Sequence, residues 1–117
     1  MTKTINPSKA INPSRTAIAH IVTWRLNGET SEKRSQQACD LVHAFETSRA
    51  EFQGLLRMEL GHNIIDAEDA WDVALYMVFE SREHLELYQS HSAHKRIKSV
   101  VGPMRTSRGQ VDFEISI

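Results

Sequence analysis

The segment Tyr88-Gln-Ser-His91-Ser-Ala-His94-Lys-Arg-Ile97 places a phenol and two imidazoles within seven positions. It comes shortly after Trp71 to Phe79, where apolar residues alternate as they do in a buried strand. Tyr88 and His91 can share one face of a helix, as can His91 and His94, because each pair has the i,i+3 spacing. The segment therefore holds the side chains best suited to chemistry, next to the expected sheet.

The serines on both sides of His91 predict a break in this helical segment. Serine competes for backbone hydrogen bonds and prefers helix caps. We expect one helix to end near Gln89 and another to begin at Ser92. Such a break turns His91 and His94 back toward the body of the domain.

The first strand, Ala17 to Leu26, is largely apolar on both faces. Alternate positions from Ile18 to Leu26 form one face, and Ala17, Ala19 and Ile21 begin the other. A strand that is apolar on both sides needs cover on both. The domain has few helices, so we expect the sheet of a partner subunit to supply the second cover.

The remaining elements predict the order β-α-β-β-α-β. Thr30 or Ser31 can cap a long helix that continues to Gly54, with Ala38, Leu41, Val42, Phe45 and Phe52 at helical spacing. The later elements are strands at Leu55 to Gly61 and Trp71 to Phe79, a helical region from Ser81 to Gly102-Pro103, and a strand at Val111 to Ile115. This is an α+β, ferredoxin-like sandwich, in which helices cover one sheet face and leave the other for dimerisation.

The residues before His94 read Phe79-Glu-Ser81-Arg-Glu83-His-Leu85-Glu-Leu-Tyr88-Gln-Ser-His91-Ser92-Ala-His94. They resemble the pattern Phe-x-Ser-x-Glu-x-Leu-x-x-Tyr-x-x-His-Pro-x-His of the stress-responsive α/β barrel family, whose members are small dimeric ferredoxin-like proteins. Ser92 replaces the usual proline, which suits the first turn of a helix, and a serine can cap that turn instead. The resemblance extends from Ala17 to the C-terminus and implies that two sheets from two subunits form a barrel.

Plant polyketide cyclases of this family imply roles for three residues. His94 would be the general base, Tyr88 would hydrogen-bond a substrate carbonyl, and His20 would help to shape the site. An imidazole that titrates near neutrality can remove a proton beside a ketone, and a phenol can stabilise the enolate oxygen. We also expect His20 and His91 to contribute to ligand binding, with no cofactor.

Two interpretations of these residues stay open. One is a stress-responsive protein that binds a small hydrophobic or carbonyl-containing ligand, with its tyrosine and histidines in a structural hydrogen-bonded network. The other is a cofactor-free enzyme, similar to a polyketide cyclase, an isomerase or a monooxygenase, that transfers protons through Tyr88 and His94. A continuous cavity reaching both side chains favours the enzyme, and a filled core favours the network.

Metal binding is a further alternative, because His84, His91 and His94 lie near Glu83 and Glu86. The spacing is poor for one ion, since His84 and His91 are two turns apart on a continuous helix. A His-x-x-His pair alone lacks a third ligand. We therefore predict no metal site, and only the histidine content would support haem.

The composition predicts one domain with no polyanionic partner. A chain of 117 residues, 40% hydrophobic, can form one core. Its 14 basic and 15 acidic residues give a net charge of -1, which argues against nucleic acid and acidic membranes. We interpret the basic run from His94 to Lys98 as a solvated helix face. A single cysteine, Cys39, and the lack of a signal-like or membrane-spanning apolar run predict a cytoplasmic location.

Residues 1–16 differ in character from residues 17–117, which form the predicted barrel domain. Ile5-Asn-Pro-Ser8 recurs as Ile11-Asn-Pro-Ser14, and the segment has no periodic apolar face. Each Asn-Pro step disfavours helix and favours a turn. We interpret this segment as an extended arm, with Ile5 and Ile11 as anchors for a neighbouring subunit.

Overall fold

The computed structural model describes residues 15–117 and contains a four-stranded antiparallel sheet. The strand order across this sheet is β2-β3-β1-β4. Short 3-10 turns lie at Arg49–Glu51 and Gly102–Met104. The main elements are β1 (Thr16–Leu26), α1 (Ser31–Glu46), β2 (Leu55–His62), β3 (Val73–Phe79), α2 (Arg82–Ser90), α3 (Ser92–Val101) and β4 (Arg105–Ser116). The predicted ferredoxin-like order is confirmed, with the second helical region divided into α2 and α3.

Two helices begin at the predicted side-chain caps. The Thr30 hydroxyl accepts a hydrogen bond from the Lys33 amide at the start of α1. The Ser81 hydroxyl accepts one from the His84 amide at the start of α2. Each hydroxyl satisfies a backbone donor that has no partner within its own helix.

The predicted end of α1 at Gly54 is wrong, because α1 ends at Glu46. The chain tightens there, and the Ser48 amide donates to the Phe45 carbonyl at 3.1 Å. Phe52 lies beyond the helix in extended backbone and is still buried. Its helical spacing is therefore coincidental, since Phe52 reaches the core through a separate turn.

The pairing register decides which face of each strand meets the helices. His20 of β1 lies opposite Met77 of β3 and Asp112 of β4. Paired residues project to the same face of a sheet. The even-numbered positions of β1 therefore share a face with odd-numbered β3 positions and even-numbered β4 positions. The core lies on this face, beneath α1, α2 and α3.

The opposite face of the sheet, here called the open face, has no helix over it within residues 15–117. Val111 is 52% exposed and Phe113 is 46% exposed, and both belong to the odd-numbered side of β4. Ala17 and Ala19 of β1 lie on the same side. The apolar character predicted for both faces of β1 is therefore present, and the open face retains large exposed apolar groups.

Three strand details differ from the prediction. Strand β3 begins at Val73 and not at Trp71, whose ring instead lies 4.7 Å from the Arg25 guanidinium carbon. Strand β4 begins at Arg105 and not at Val111, because its pairing with β1 continues that far. Leu56, which has the alternating spacing of Met58 and Leu60 and would face inward with them, is 48% exposed, because the register of β2 shifts at this point.

Some predictions concern properties that residues 15–117 do not reveal. The arm at residues 1–16 lies outside the described residues except for Arg15 and Thr16, so its packing on a neighbouring subunit stays a prediction. None of the described helices is both long and apolar enough to span a membrane. The cytoplasmic location likewise stays a prediction.

Candidate functional site

A cavity of about 320 Å³ lies between α3 and the β1 and β4 side of the sheet. Its apolar walls include Val22, Trp24, Phe45, Leu75, Ile97 and Val101. Its polar lining consists of Tyr88, Gln89, His94, Lys98, Arg105, Arg108 and Gln110. Two of the predicted site residues, Tyr88 and His94, therefore reach the same cavity.

The break between α2 and α3 occurs where the serines predicted it, but His91 forms the cap. The His91 backbone is extended, and its Nδ1 accepts a hydrogen bond of 2.9 Å from the Ala93 amide. Ser92 is the first residue of α3, so the expectation that Ser92 caps this turn is wrong. The His91 ring packs against Phe52, with centroids 5.8 Å apart. His91 does not line the cavity, and its predicted part in ligand binding has no support from this geometry.

Tyr88 is held in the core by aromatic neighbours. Its side chain is 2% exposed, and its ring centroid lies 4.8 Å from that of Phe52 and 5.2 Å from that of Phe79. Burial raises the pKa of the phenol well above its ordinary value, so the hydroxyl keeps its proton at neutral pH.

The Tyr88 hydroxyl has no hydrogen-bond partner among residues 15–117. Among the side-chain nitrogen and oxygen atoms of the non-exposed residues in that range, only Arg25 Nε is both buried and without a hydrogen-bond partner. The hydroxyl oxygen therefore keeps some accessible surface, and Tyr88 lines the cavity. This leaves a proton donor available to a bound molecule.

His94 stacks on Tyr88 and has a defined tautomer. The two ring centroids are 4.4 Å apart. His94 Nδ1 lies 3.0 Å from the Gln89 carbonyl oxygen, and a carbonyl only accepts, so Nδ1 carries the proton. Burial lowers the pKa of His94 below 6.5, although the bond to Gln89 raises it. The ring is therefore neutral at pH 7, with a lone pair on Nε2.

His20 lies behind Tyr88 and outside the cavity lining. It is 1% exposed on the helix side of β1, and its ring stands edge-on to Tyr88 with centroids 5.8 Å apart. His20 Nδ1 donates to Asp112 Oδ1 at 2.5 Å, and Gln110 Nε2 donates to Asp112 Oδ2 at 2.8 Å. Burial lowers the pKa of His20, although Asp112 raises it. His20 therefore packs against Tyr88 and does not line this cavity, and its part in ligand binding stays a prediction.

Several polar residues that line this cavity or lie next to it were not identified from the sequence. Arg108, Gln110 and Asp112 occupy alternate positions of β4, and the pairing with β1 turns them toward the helices. Lys98 also lines the cavity, so one end of the basic run interpreted as a solvated face borders the site. The alternation in β4 was visible in the sequence, but it did not show which face was inner.

Metal ligands do not gather in the part of the chain that the structure describes. Within residues 15–117, no group of three or more histidine, cysteine, aspartate and glutamate side chains is arranged to hold an ion.

Solved structures with the same fold extend over most of the chain. A dimeric ferredoxin-like protein of unknown function from Bacteroides fragilis is 24% identical, with a TM-score of 0.75 over 85% of this chain and 96% of that one. A dimeric ferredoxin-like protein from Thermobifida fusca is 22% identical, with a TM-score of 0.75 over 86% and 92%. A hydroxynitrile lyase from Passiflora edulis is 14% identical, with a TM-score of 0.71 over 85% and 93%.

Family membership follows from the sequence. No curated protein matches the sequence. The stress-responsive A/B barrel domain family, however, matches residues 18–115, which include most of β1, the Tyr88 to His94 segment and nearly all of β4. This confirms the resemblance drawn from the sequence pattern. The chain belongs to the stress-responsive A/B barrel domain family.

Proposed function

We propose that the chain binds a small, largely hydrophobic molecule with a carbonyl group in the cavity between α3 and the sheet. One observation carries the proposal: Tyr88 and His94 both line this single cavity. Its volume, about 320 Å³, is comparable with the smaller ligand pockets of proteins, which begin at roughly 300 Å³. Apolar walls with a few convergent polar groups are typical of such pockets.

The polar groups at the cavity match a carbonyl. The Tyr88 hydroxyl is a donor with no partner among residues 15–117, and a carbonyl oxygen is an acceptor. The apolar body of the ligand would lie against Trp24, Phe45 and Leu75, which are cavity walls. Binding would then satisfy a polar group that the protein itself leaves unpaired in this range.

Butyrophenone, an aromatic ketone, tests this proposal. We expect a titration followed by amide NMR to shift signals around the cavity. Tyr88→Phe should weaken binding about fivefold, because it removes a hydrogen bond that contributes about 1 kcal/mol. Tyr76→Phe is the matched control, since Tyr76 lies on the open face. Equal affinity in the parent and in Tyr88→Phe, or shifts confined to the open face, would contradict the proposal.

A second candidate function is cofactor-free proton transfer, which the lone pair on His94 Nε2 favours. In this step Nε2 takes a proton from the carbon beside the carbonyl, and the C–H electron pair becomes part of an enolate. The Tyr88 hydroxyl then stabilises the enolate oxygen. Cyclisation, isomerisation or oxygenation can each begin this way. The hydroxynitrile lyase from Passiflora edulis supports only that this fold can carry an enzyme.

Hydrogen–deuterium exchange tests proton transfer without knowledge of the natural substrate. The α-protons of butyrophenone should exchange in D2O faster with the parent protein than in buffer. His94→Gln should abolish the acceleration, whereas His43→Gln should retain it, because His43 is exposed on α1. If the parent protein binds butyrophenone without accelerating exchange, ligand binding stands and catalysis on this ketone does not.

We infer that the open face pairs with the same face of a second copy. Val111 and Phe113 leave about half of their area exposed there, which is unusual for an apolar sheet face. The neighbours from Bacteroides fragilis and Thermobifida fusca are described as dimeric, which supports this assembly. A two-fold symmetric contact would bury the same side chains from each subunit.

A further inference from the structure

The lining of the cavity is strongly asymmetric in charge. Lys98 on α3 and Arg105 and Arg108 on β4 all border it, and no aspartate or glutamate does. The whole chain has 14 basic and 15 acidic residues, so its composition does not explain this imbalance. All three side chains are exposed, which places their charges at the rim of the cavity.

The three cations lack partners within residues 15–117. The arginines that form ion pairs there are Arg49, Arg57 and Arg96, all away from the cavity. Asp112 lies on the same face of β4 outside the cavity lining, where its two oxygens accept from His20 and Gln110 and its charge raises the pKa of Arg108. Burial and the nearby charge of Arg105 both lower the pKa of Arg108. The rim therefore carries more positive charge than Asp112 offsets.

We propose that Lys98, Arg105 and Arg108 form a subsite for a carboxylate. The ligand of this cavity would then be an oxo acid, with a ketone carbonyl, a carboxylate and an apolar body. The proposal rests on the proposed function, because the carbonyl is the group that Tyr88 and His94 recognise. Guanidinium groups suit a carboxylate, since they offer paired N–H donors in one plane. A ligand anion would add to the counter-charge, which Asp112 supplies only in part.

The spacing along α3 limits the length of such a ligand. His94 and Lys98 are four residues apart, so they share one face of α3 and are separated by about 6 Å along its axis. A carboxylate at the rim therefore lies within a few bonds of a carbonyl at His94. The apolar remainder of the acid would extend toward Trp24, Phe45 and Leu75.

Two probes that differ only at one end test the subsite. They are 4-oxo-4-phenylbutanoate and butyrophenone, which share the phenyl ketone. The chain beyond the ketone ends in a carboxylate in the first compound and in a methyl group in the second. With the full chain, we expect the acid to bind about tenfold more tightly, as for a charge-assisted hydrogen bond. This preference should shrink as the salt concentration rises, because the cations are exposed.

Substitutions then test whether the rim residues cause the tighter binding of the acid. Arg108→Gln and Lys98→Gln should each reduce the ratio of the affinity for the acid to the affinity for butyrophenone. Lys95→Gln is the matched control, because it removes one exposed positive charge from α3 outside the cavity. Circular dichroism of each variant verifies that the fold is retained.

The outcomes separate this inference from the proposed function. Equal binding of both probes by the parent would overturn the carboxylate subsite and leave the ketone site intact. Retention of the full preference in both Arg108→Gln and Lys98→Gln, or its loss in Lys95→Gln, would also overturn the subsite. If neither probe bound at the cavity, the proposed function and this inference would both be wrong.

Discussion

Replacing Tyr88 by phenylalanine separates a ligand-binding role from a structural role, because it removes one hydroxyl and keeps the ring. The side chain is 2% exposed and packs against Phe52 and Phe79, and phenylalanine preserves these contacts. The hydroxyl has no hydrogen-bond partner among residues 15–117, so no paired group is lost there. We expect the free energy of unfolding to change by no more than about 0.5 kcal/mol.

If the Tyr88 hydroxyl belonged to a structural network, Tyr88→Phe would lower the free energy of unfolding by a larger amount. Removing it would leave a buried partner unsatisfied and cost about 1–3 kcal/mol. Each 1 kcal/mol lowers the melting midpoint of a domain of this size by about 4–8 °C. Tyr88→Ala provides the reference, because loss of the buried ring should cost about 3–5 kcal/mol.

Urea unfolding followed by far-UV circular dichroism measures these differences. All variants are compared at one protein concentration, because the stability of a dimer depends on concentration. Tyr76→Phe on the open face controls for the loss of a tyrosine hydroxyl elsewhere. A loss above 1 kcal/mol in Tyr88→Phe, without one in Tyr76→Phe, would refute the assignment of this hydroxyl to a ligand.

Three further predictions concern the dimer, pH and one glycine. Phe113→Asp should shift sedimentation from dimer to monomer, because burying the exposed 46% of Phe113 in the interface would contribute about 2 kcal/mol per subunit. Ser99→Asp, on α3, adds the same charge away from the open face, and equally stable dimers in the two variants would contradict the interface. The folded-state pKa values of His20 and His94 lie below 6.5, so the unfolded chain binds more protons below that pH. Stability should therefore be complete above about pH 6.5 and fall as the pH decreases toward 5, with a smaller fall in His94→Gln; the same slope in both proteins would exclude His94 as a cause. Gly54→Ala should cost about 2 kcal/mol in a thermal melt, because Gly54 has a φ of +71° and a Cβ there would collide with the His84 ring. Gly102→Ala, where a Cβ meets nothing within 4 Å, should be nearly neutral, and equal losses at the two sites would contradict this reasoning.

Interactions between residues close in the chain made much of the fold predictable. Alternation placed Ile18 and every second position after it on one face of β1, and that face is buried. The caps at Thr30 and Ser81 depend on a side chain and an amide three residues later, so they can be inferred from the sequence. The break at His91 is equally local, although the histidine itself, not Ser92, became the cap.

Local patterns were misleading where a distant contact decided the outcome. Phe52 has the spacing of α1 but reaches the core after a 3-10 turn. Leu56 alternates correctly for an inward position, yet the shifted register between β2 and β3 leaves it exposed. Neither the turn nor the shift can be inferred from hydrophobic spacing alone, because each depends on which partner the chain packs against.

The candidate site divides in the same way. Tyr88 and His94 were predictable because a short pattern of residue types carries them on one segment of the chain. The two rim arginines, Arg105 and Arg108, were not predictable from such a pattern. Their side of β4 becomes the inner face through pairing with β1, and the paired residues are far apart in the sequence, as Thr23 and Gly109 show. A one-residue slip of that pairing would turn these side chains to the open face. Residue chemistry is thus local information, whereas the grouping of a phenol, an imidazole and three cations around one cavity depends on long-range register.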